Sequence, residues 1–351
     1  MLELTHIAEW IYALVAGISA SLGLPDVVRD IVLMLIVIVV ILVFLVIMAL
    51  FLVWWERKVS AHIQDRLGPM MTGWHGWAQT IADALKLLQK EDIVVDTADR
   101  KVHFWAPVIV FSVCMAAYAV IPFGKGLIAS DVSIGILYIL AITSLTVISL
   151  LMAGWGSFNK YALLGGMRSA AQIISYEVPL TMSLIGVIMM SETMSMYGMV
   201  EAQTPYFWKW YIWPQFLGFW IYISAATAEL NRTPFDLPEA EQELVAGFNI
   251  EYSGMKFAMF FLAEFLNMFT VAAVATTLFL GGWQPPLPGL DFIPSWIWFL
   301  GKSLFLVFVI MWFKWTYPRL RVDHLMDFAW KVLLPLAFLN IMLTAIGVYL
   351  F

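Results

Sequence analysis

Long uninterrupted apolar runs constrain this chain more than any other feature, because several reach 18 residues or more. A helix of about 20 residues, rising 1.5 Å per residue, crosses the roughly 30 Å hydrocarbon core of a bilayer. The apolar residues come in continuous blocks and do not alternate, which excludes a transmembrane β-barrel. With 62% hydrophobic and 13% charged residues and a mean hydropathy of +0.86, soluble enzyme folds are excluded too. The expected fold is all-α: a polytopic membrane bundle of about eight transmembrane helices with amphipathic interfacial helices.

Proline, glycine and charge divide the chain into spans at 31–54, 104–122, 134–154, 172–190, 212–228, 255–281, 295–316 and 331–350. Residues 31–351 thus form the membrane domain, with polar loops at 55–103, 155–171, 229–254 and 317–330. Residues 1–30 form an N-terminal extension. Its apolar stretch is broken by Gly17 and Gly23 and carries Glu3 and Glu9 without a basic leader, so it fits a helix lying at the interface better than a cleaved signal peptide. Lysine and arginine divide 15 to 4 between the connections after the odd-numbered spans and all others. The positive-inside rule then places the odd connections in the cytoplasm and both termini on the outer side.

The lone cysteine, Cys114, cannot form an intrachain disulfide, and no Cys/His cluster has the spacing of a zinc, iron–sulfur or haem site. No GxGxxG marks a nucleotide fold. A net charge of −6 argues against nucleic acid as a partner. Metal ligands are therefore expected to be absent, and any redox centre to belong to another chain.

The polar residues concentrate on the odd connections. After span one, Glu56 and Arg57 precede Arg66 and a segment, AQTIADALKLLQKE, whose Ile81, Ala84, Leu85 and Leu88 recur at helical spacing, with Asp83 and Lys86 elsewhere on the wheel. This segment reads either as an interfacial helix with snorkelling lysines or as the wall of a polar opening. Glu177 lies within span four, where an ionised carboxylate costs about 2.5–3.5 kcal/mol and marks a functional position by default; a structural pair with Arg168 is the alternative. Pro179, two residues on, leaves a helix carbonyl without its amide and is a candidate kink. The passage from Glu229 to Tyr252 sets six acids, Glu229, Asp236, Glu239, Glu241, Glu243 and Glu251, against Arg232 alone. If helical from Pro238, Glu239 and Glu243 share a face and repel. Its apolar residues are too many for free solvent and point to packing against membrane or a partner. Glu264 is a second deep carboxylate, in span six. Glu177, Glu229, Glu251 and Glu264 together suggest a chain of acids from loop to bilayer, as a proton path requires.

Glu56–Lys58, QDRLGP from Gln64, ADALKLLQKE from Ala82, KYALLGG from Lys160, ISYE from Ile174, the long acidic passage from Ala228 and PRLRVDHLM from Pro318 together resemble the family of the H subunit of the proton-pumping NADH-quinone oxidoreductase, respiratory complex I. The resemblance covers nearly all of the chain after residue 30 and departs locally at Met70, Phe158, Gln242 and His324. It implies a membrane-embedded foot that forms the lipid-side part of a quinone tunnel and begins a proton path, inactive as an isolated chain. The tunnel candidates are Glu56, Arg57, Arg66, Asp83, Lys86, Arg168, Arg232 and Asp236. The coupling candidates are Glu177, Glu229, Glu239, Glu241, Glu243, Glu251 and Glu264. Quinone is the implied substrate, with FMN and iron–sulfur clusters held by partner subunits. The implied partners are the quinone-reducing subunits of the hydrophilic arm, the adjacent small membrane subunits and membrane lipids. The foot of a related hydrogenase or archaeal-type dehydrogenase, and a stand-alone ion transporter, remain as alternative readings.

Overall fold

The computed structural model describes residues 26–203, 206–238, 241–290 and 292–350. The proposed interfacial helix in residues 1–25 lies outside them. Among the described residues every regular element is helical, and seven helical stretches are long and apolar enough to cross a membrane. This is a multi-pass α-helical membrane protein.

Helix α1 (Asp26–Ile63) leads to α2 (Gln79–Gln89), the amphipathic segment, and then to α3 (Arg100–Ala117). Span three divides at Ser144 into α4 (Gly135–Thr143) and α5 (Leu145–Gly156), followed by α6 (Lys160–Ser191) and the short α7 (Met196–Ala202). Next come α8 (Phe216–Glu229), the single turn α9 (Glu241–Leu244), α10 (Gly254–Phe279) and α11 (Ser295–Thr316). The last span comprises α12 (Val322–Asp327), a π-turn at Phe328–Leu333 and α13 (Leu334–Leu350).

Helices outrun their apolar cores where polar residues continue the helical register. Helix α1 extends to Ile63 and carries Glu56 and Arg57 on regular helix; α6 starts at Lys160, so KYALLGG is its first turns. Asp99 and Asn159 cap α3 and α6 by accepting backbone N–H groups, which explains where those helices start. Helix α6 runs on through Pro179.

The fifth expected span is the exception. Helix α8 has 14 residues, about 21 Å at the usual rise, and its C-terminus stops inside the bundle. Gln172, well along α6, donates to the carbonyls of Ala228 and Phe235 at 2.7 and 2.8 Å, and Asn231 donates to Ser169 at 3.0 Å. The chain therefore continues beyond α8 as irregular backbone held against α6. Within membrane depth that is tolerated only where protein surrounds it, and Phe235, Leu237, Leu244, Phe248 and Tyr252 are buried. These residues pack into the bundle's own core, while Val245 of the same passage is exposed.

One close approach fixes this arrangement. A Cβ on Gly165 of α6 would stand 2.6 Å from the Cα of Gly247, so the acidic segment reaches α6 only because both positions lack side chains.

Candidate functional site

The odd connections gather at one end of the bundle, where three structures meet. The first is a buried cluster of four charges. The α1 carboxylate of Glu56 accepts from Arg232 (2.6 Å) and from Lys314 of α11 (2.6 Å), and Arg232 also pairs with Glu264 of α10 at 2.8 Å. Arg232 lies over the Phe265 ring at 4.7 Å and is 2% exposed. Two acids balance two bases. Net neutrality is what allows such a group to sit among apolar side chains, since an unpaired buried charge is far more costly than a pair.

The second is a groove of about 590 Å³ between α1, α2 and α10. Leu50, Val53, Phe257, Phe261 and Leu262 supply apolar walls; Arg57, Gln79, Asp83 and Lys86 supply the polar groups. Successive residues on a helix point about 100° apart, so Glu56 turns into the charge cluster while Arg57 turns to the groove. Arg57 bonds Asp83 at 2.6 Å, Gln79 donates to the same carboxylate at 3.1 Å, and Lys86 stands 3.8 Å away. Burial opposes ionisation of Asp83, but the bonds from Arg57 and Gln79 outweigh it and hold the carboxyl below the usual range. Ile81, Leu85 and Leu88 of α2 are exposed while Ala84 and Leu88 also line the groove, so the apolar stripe of this helix serves both the surface and the groove.

The third is a cavity of about 80 Å³ on the opposite face of α10 from the groove, lined by Thr143, Thr146, Glu229, Asn231, Asn249, Glu264, Asn267 and Thr270 among apolar residues. A volume of about 10–15 Å³ by this measure holds one water, so there is room for several. A smaller cavity of about 30 Å³ shares Thr143, Glu229, Thr270 and Val271 with it and continues toward Met196 at the other end of the bundle. Glu229 stands at the junction, within electrostatic reach of Glu177.

The remaining candidates separate. Arg168 bonds Glu243 at 2.8 Å, so the alternative pairing of Arg168 with Glu177 does not form; Glu177 instead meets the Ser144 hydroxyl. Glu251 accepts from Asn159 at 2.7 Å and does not line the cavity. Asp236 bonds Arg319 at 2.9 Å. Arg66 is exposed and bonds Gln64, apart from the groove. Glu239 lies outside the described residues, and Glu241 belongs to the single turn α9. The expected Glu239–Glu243 face includes Glu239 and so lies outside the described residues.

Lys314, Asn231, Asn249, Asn267 and Ser144 are site residues that sequence reasoning misses. Lys314 carries a usable signal, since a lysine inside an apolar span needs a partner.

The sequence profile of the family described as NADH dehydrogenase matches residues 35–345. The chain belongs to this family. Similar members are named as the H subunit of NADH-quinone oxidoreductase. That of Brevibacillus brevis is 51% identical over 85% of this chain and 88% of its own length. That of Carboxydothermus hydrogenoformans is 47% identical over 92% and 91%, and that of Phocaeicola vulgatus 42% over 99% and 98%. The family match at 35–345 spans the charge cluster, the groove and both cavities.

Proposed function

We propose that this chain is the membrane subunit of an NADH-quinone oxidoreductase that admits quinone from the bilayer and begins the coupling of its reduction to proton movement. The observation that carries the reading is that α10 separates the groove from the water-sized cavity, while the Glu56–Arg232–Glu264–Lys314 cluster joins the two sides. The groove suits a quinone: its volume lies in the roughly 300–1,000 Å³ range of small-molecule sites, with apolar walls for a tail and few polar groups for orientation. Electrons reach the quinone from FMN and iron–sulfur clusters in partner subunits of the hydrophilic arm, docked on the polar end of the bundle. In this reading that end is cytoplasmic, both termini are on the outer side of the inner membrane, and further small membrane subunits and lipids cover the exposed flanks.

Arg232 is shared between Glu56 and Glu264. A charged quinone species near Arg57 and Asp83 changes the field on Glu56; whatever draws Arg232 toward Glu56 loosens its hold on Glu264, which opens onto the cavity and Glu229. The acids beyond it can then exchange protons through water.

Asp83→Asn and Arg57→Gln, each in the assembled complex, test the groove. Both should lower NADH-driven quinone reduction and leave NADH–ferricyanide reduction unchanged, because the latter does not use this subunit. Quinone reduction at the wild-type rate in both variants contradicts the proposal.

A further inference from the structure

The division of span three at Ser144 places two hydroxyls and one amide on a single carbonyl. The Leu140 oxygen is approached by the Ser144 N–H (3.2 Å), the Thr143 hydroxyl (3.1 Å) and the Ser144 hydroxyl (2.8 Å). A carbonyl oxygen has two lone pairs, so one of the three donors is surplus. The Ser144 hydroxyl also meets the Glu177 carboxyl across the α5–α6 seam. It has one hydrogen and cannot donate to both.

Hydrogen counting leaves two arrangements. With Glu177 ionised, the Ser144 hydroxyl donates to the carboxylate, and the Leu140 oxygen keeps the Ser144 amide and the Thr143 hydroxyl. With Glu177 protonated, the carboxyl O–H donates to the Ser144 oxygen, whose own hydrogen turns to Leu140. In the protonated state the Thr143 hydroxyl becomes the surplus donor on Leu140 and has the cavities it lines to turn into, while rotation about the Ser144 Cβ–Oγ bond keeps Glu177 itself hydrogen-bonded in both states. The penalty of about 1–3 kcal/mol for an unsatisfied buried group therefore does not fall on the Glu177–Ser144 pair in either state.

We propose that Ser144 is a positioning residue of the relay: a hydroxyl rotor that lets Glu177 gain and lose a proton inside the bundle with its hydrogen bonding intact. This rests on the reading of Glu177 as a proton-exchanging group. The neighbouring Thr143 lines both cavities, and Glu229, at their junction, is within electrostatic reach of Glu177. The rotor therefore stands beside the place where a proton would pass between the acids.

The test uses Ser144→Ala, Ser144→Thr and Glu177→Gln in intact complexes with normal NADH–ferricyanide activity. Redox-induced infrared difference spectra are recorded together with proton translocation. The carboxylic C=O band lost in Glu177→Gln identifies Glu177. In Ser144→Ala this band should move to higher frequency, having lost its hydrogen-bond partner, and coupled turnover should fall on the order of tenfold; Ser144→Thr, which keeps the hydroxyl, should restore both. An unmoved band in Ser144→Ala overturns the proposal while leaving the relay standing. A difference spectrum with no band assignable to Glu177 overturns the relay role of Glu177 itself, and the rotor with it.

Discussion

Removing Arg232 should be the most damaging single change at the polar end, and the pattern of its rescue is specific. In the wild type the cluster holds Glu56 and Glu264 against Arg232 and Lys314, with Arg232 2% and the Glu56 side chain 9% exposed. Arg232→Gln leaves a net negative charge in that space. Breaking a buried pair by deleting one partner costs about 3–5 kcal/mol, and the loss falls unevenly: Glu56 keeps Lys314 at 2.6 Å, while Glu264 loses the arginine at 2.8 Å. Adding Glu264→Gln removes the widowed carboxylate and leaves the intact Glu56–Lys314 pair. It should recover at least half of the lost stability. Adding Glu56→Gln instead widows Lys314 as well as Glu264, and should recover little or make matters worse. The assay is the rate of heat inactivation of quinone reduction in isolated membranes, with native-gel assembly and NADH–ferricyanide activity as controls. Equal rescue by the two second substitutions, or an Arg232→Gln complex as heat-resistant as the wild type, would refute the reasoning.

Two further outcomes follow from particular contacts. Gly165→Ala places a methyl 2.6 Å from the Gly247 backbone, where nothing flexible can yield; it should cost about 1–3 kcal/mol and expose the 241–253 segment to limited proteolysis, whereas Gly301→Ala, with nothing within 4 Å, should be silent. Lys302 donates to the carbonyls of Leu280, Gly282 and Gln284 at 2.7, 3.0 and 2.7 Å and lies 4.0 Å over the Trp210 ring, so Lys302→Met should destabilise the far end of the α10–α11 hairpin by about 1.5–3 kcal/mol, read as faster heat inactivation with unchanged initial quinone reduction.

The apolar blocks make the membrane bundle legible, because burial in lipid demands continuous helical runs of a set length. Segment 212–228 reads as a full span because hydropathy does not distinguish helix from the turn at Tyr211–Gln215 that precedes α8, nor lipid from protein as the apolar surroundings. The acidic passage stands out by charge, yet its placement depends on contacts no local pattern encodes: Arg232 meets Glu56, 176 residues away, and Gln172 holds the Ala228 and Phe235 carbonyls. Glu177 and Glu264 are conspicuous because a carboxylate in an apolar run is rare. Thr143, Ser144, Thr146 and Asn267 are not, since hydroxyls and amides are common in spans and announce nothing until a cavity gathers them. Glu251 stands out by charge in the same passage, but its bond from Asn159, the residue that caps α6, is a contact that no local pattern announces.

The central claim is that protons move through the acids around the α10 cavity when quinone is reduced. Its most direct test is the number of protons translocated per electron pair in Glu177→Gln and Glu229→Gln complexes, measured separately with quinone reduction in the same vesicles. The account predicts that both variants assemble and that each lowers the stoichiometry or slows quinone reduction together with pumping. Wild-type turnover and wild-type stoichiometry in both variants would show these carboxyls to be structural and contradict the account.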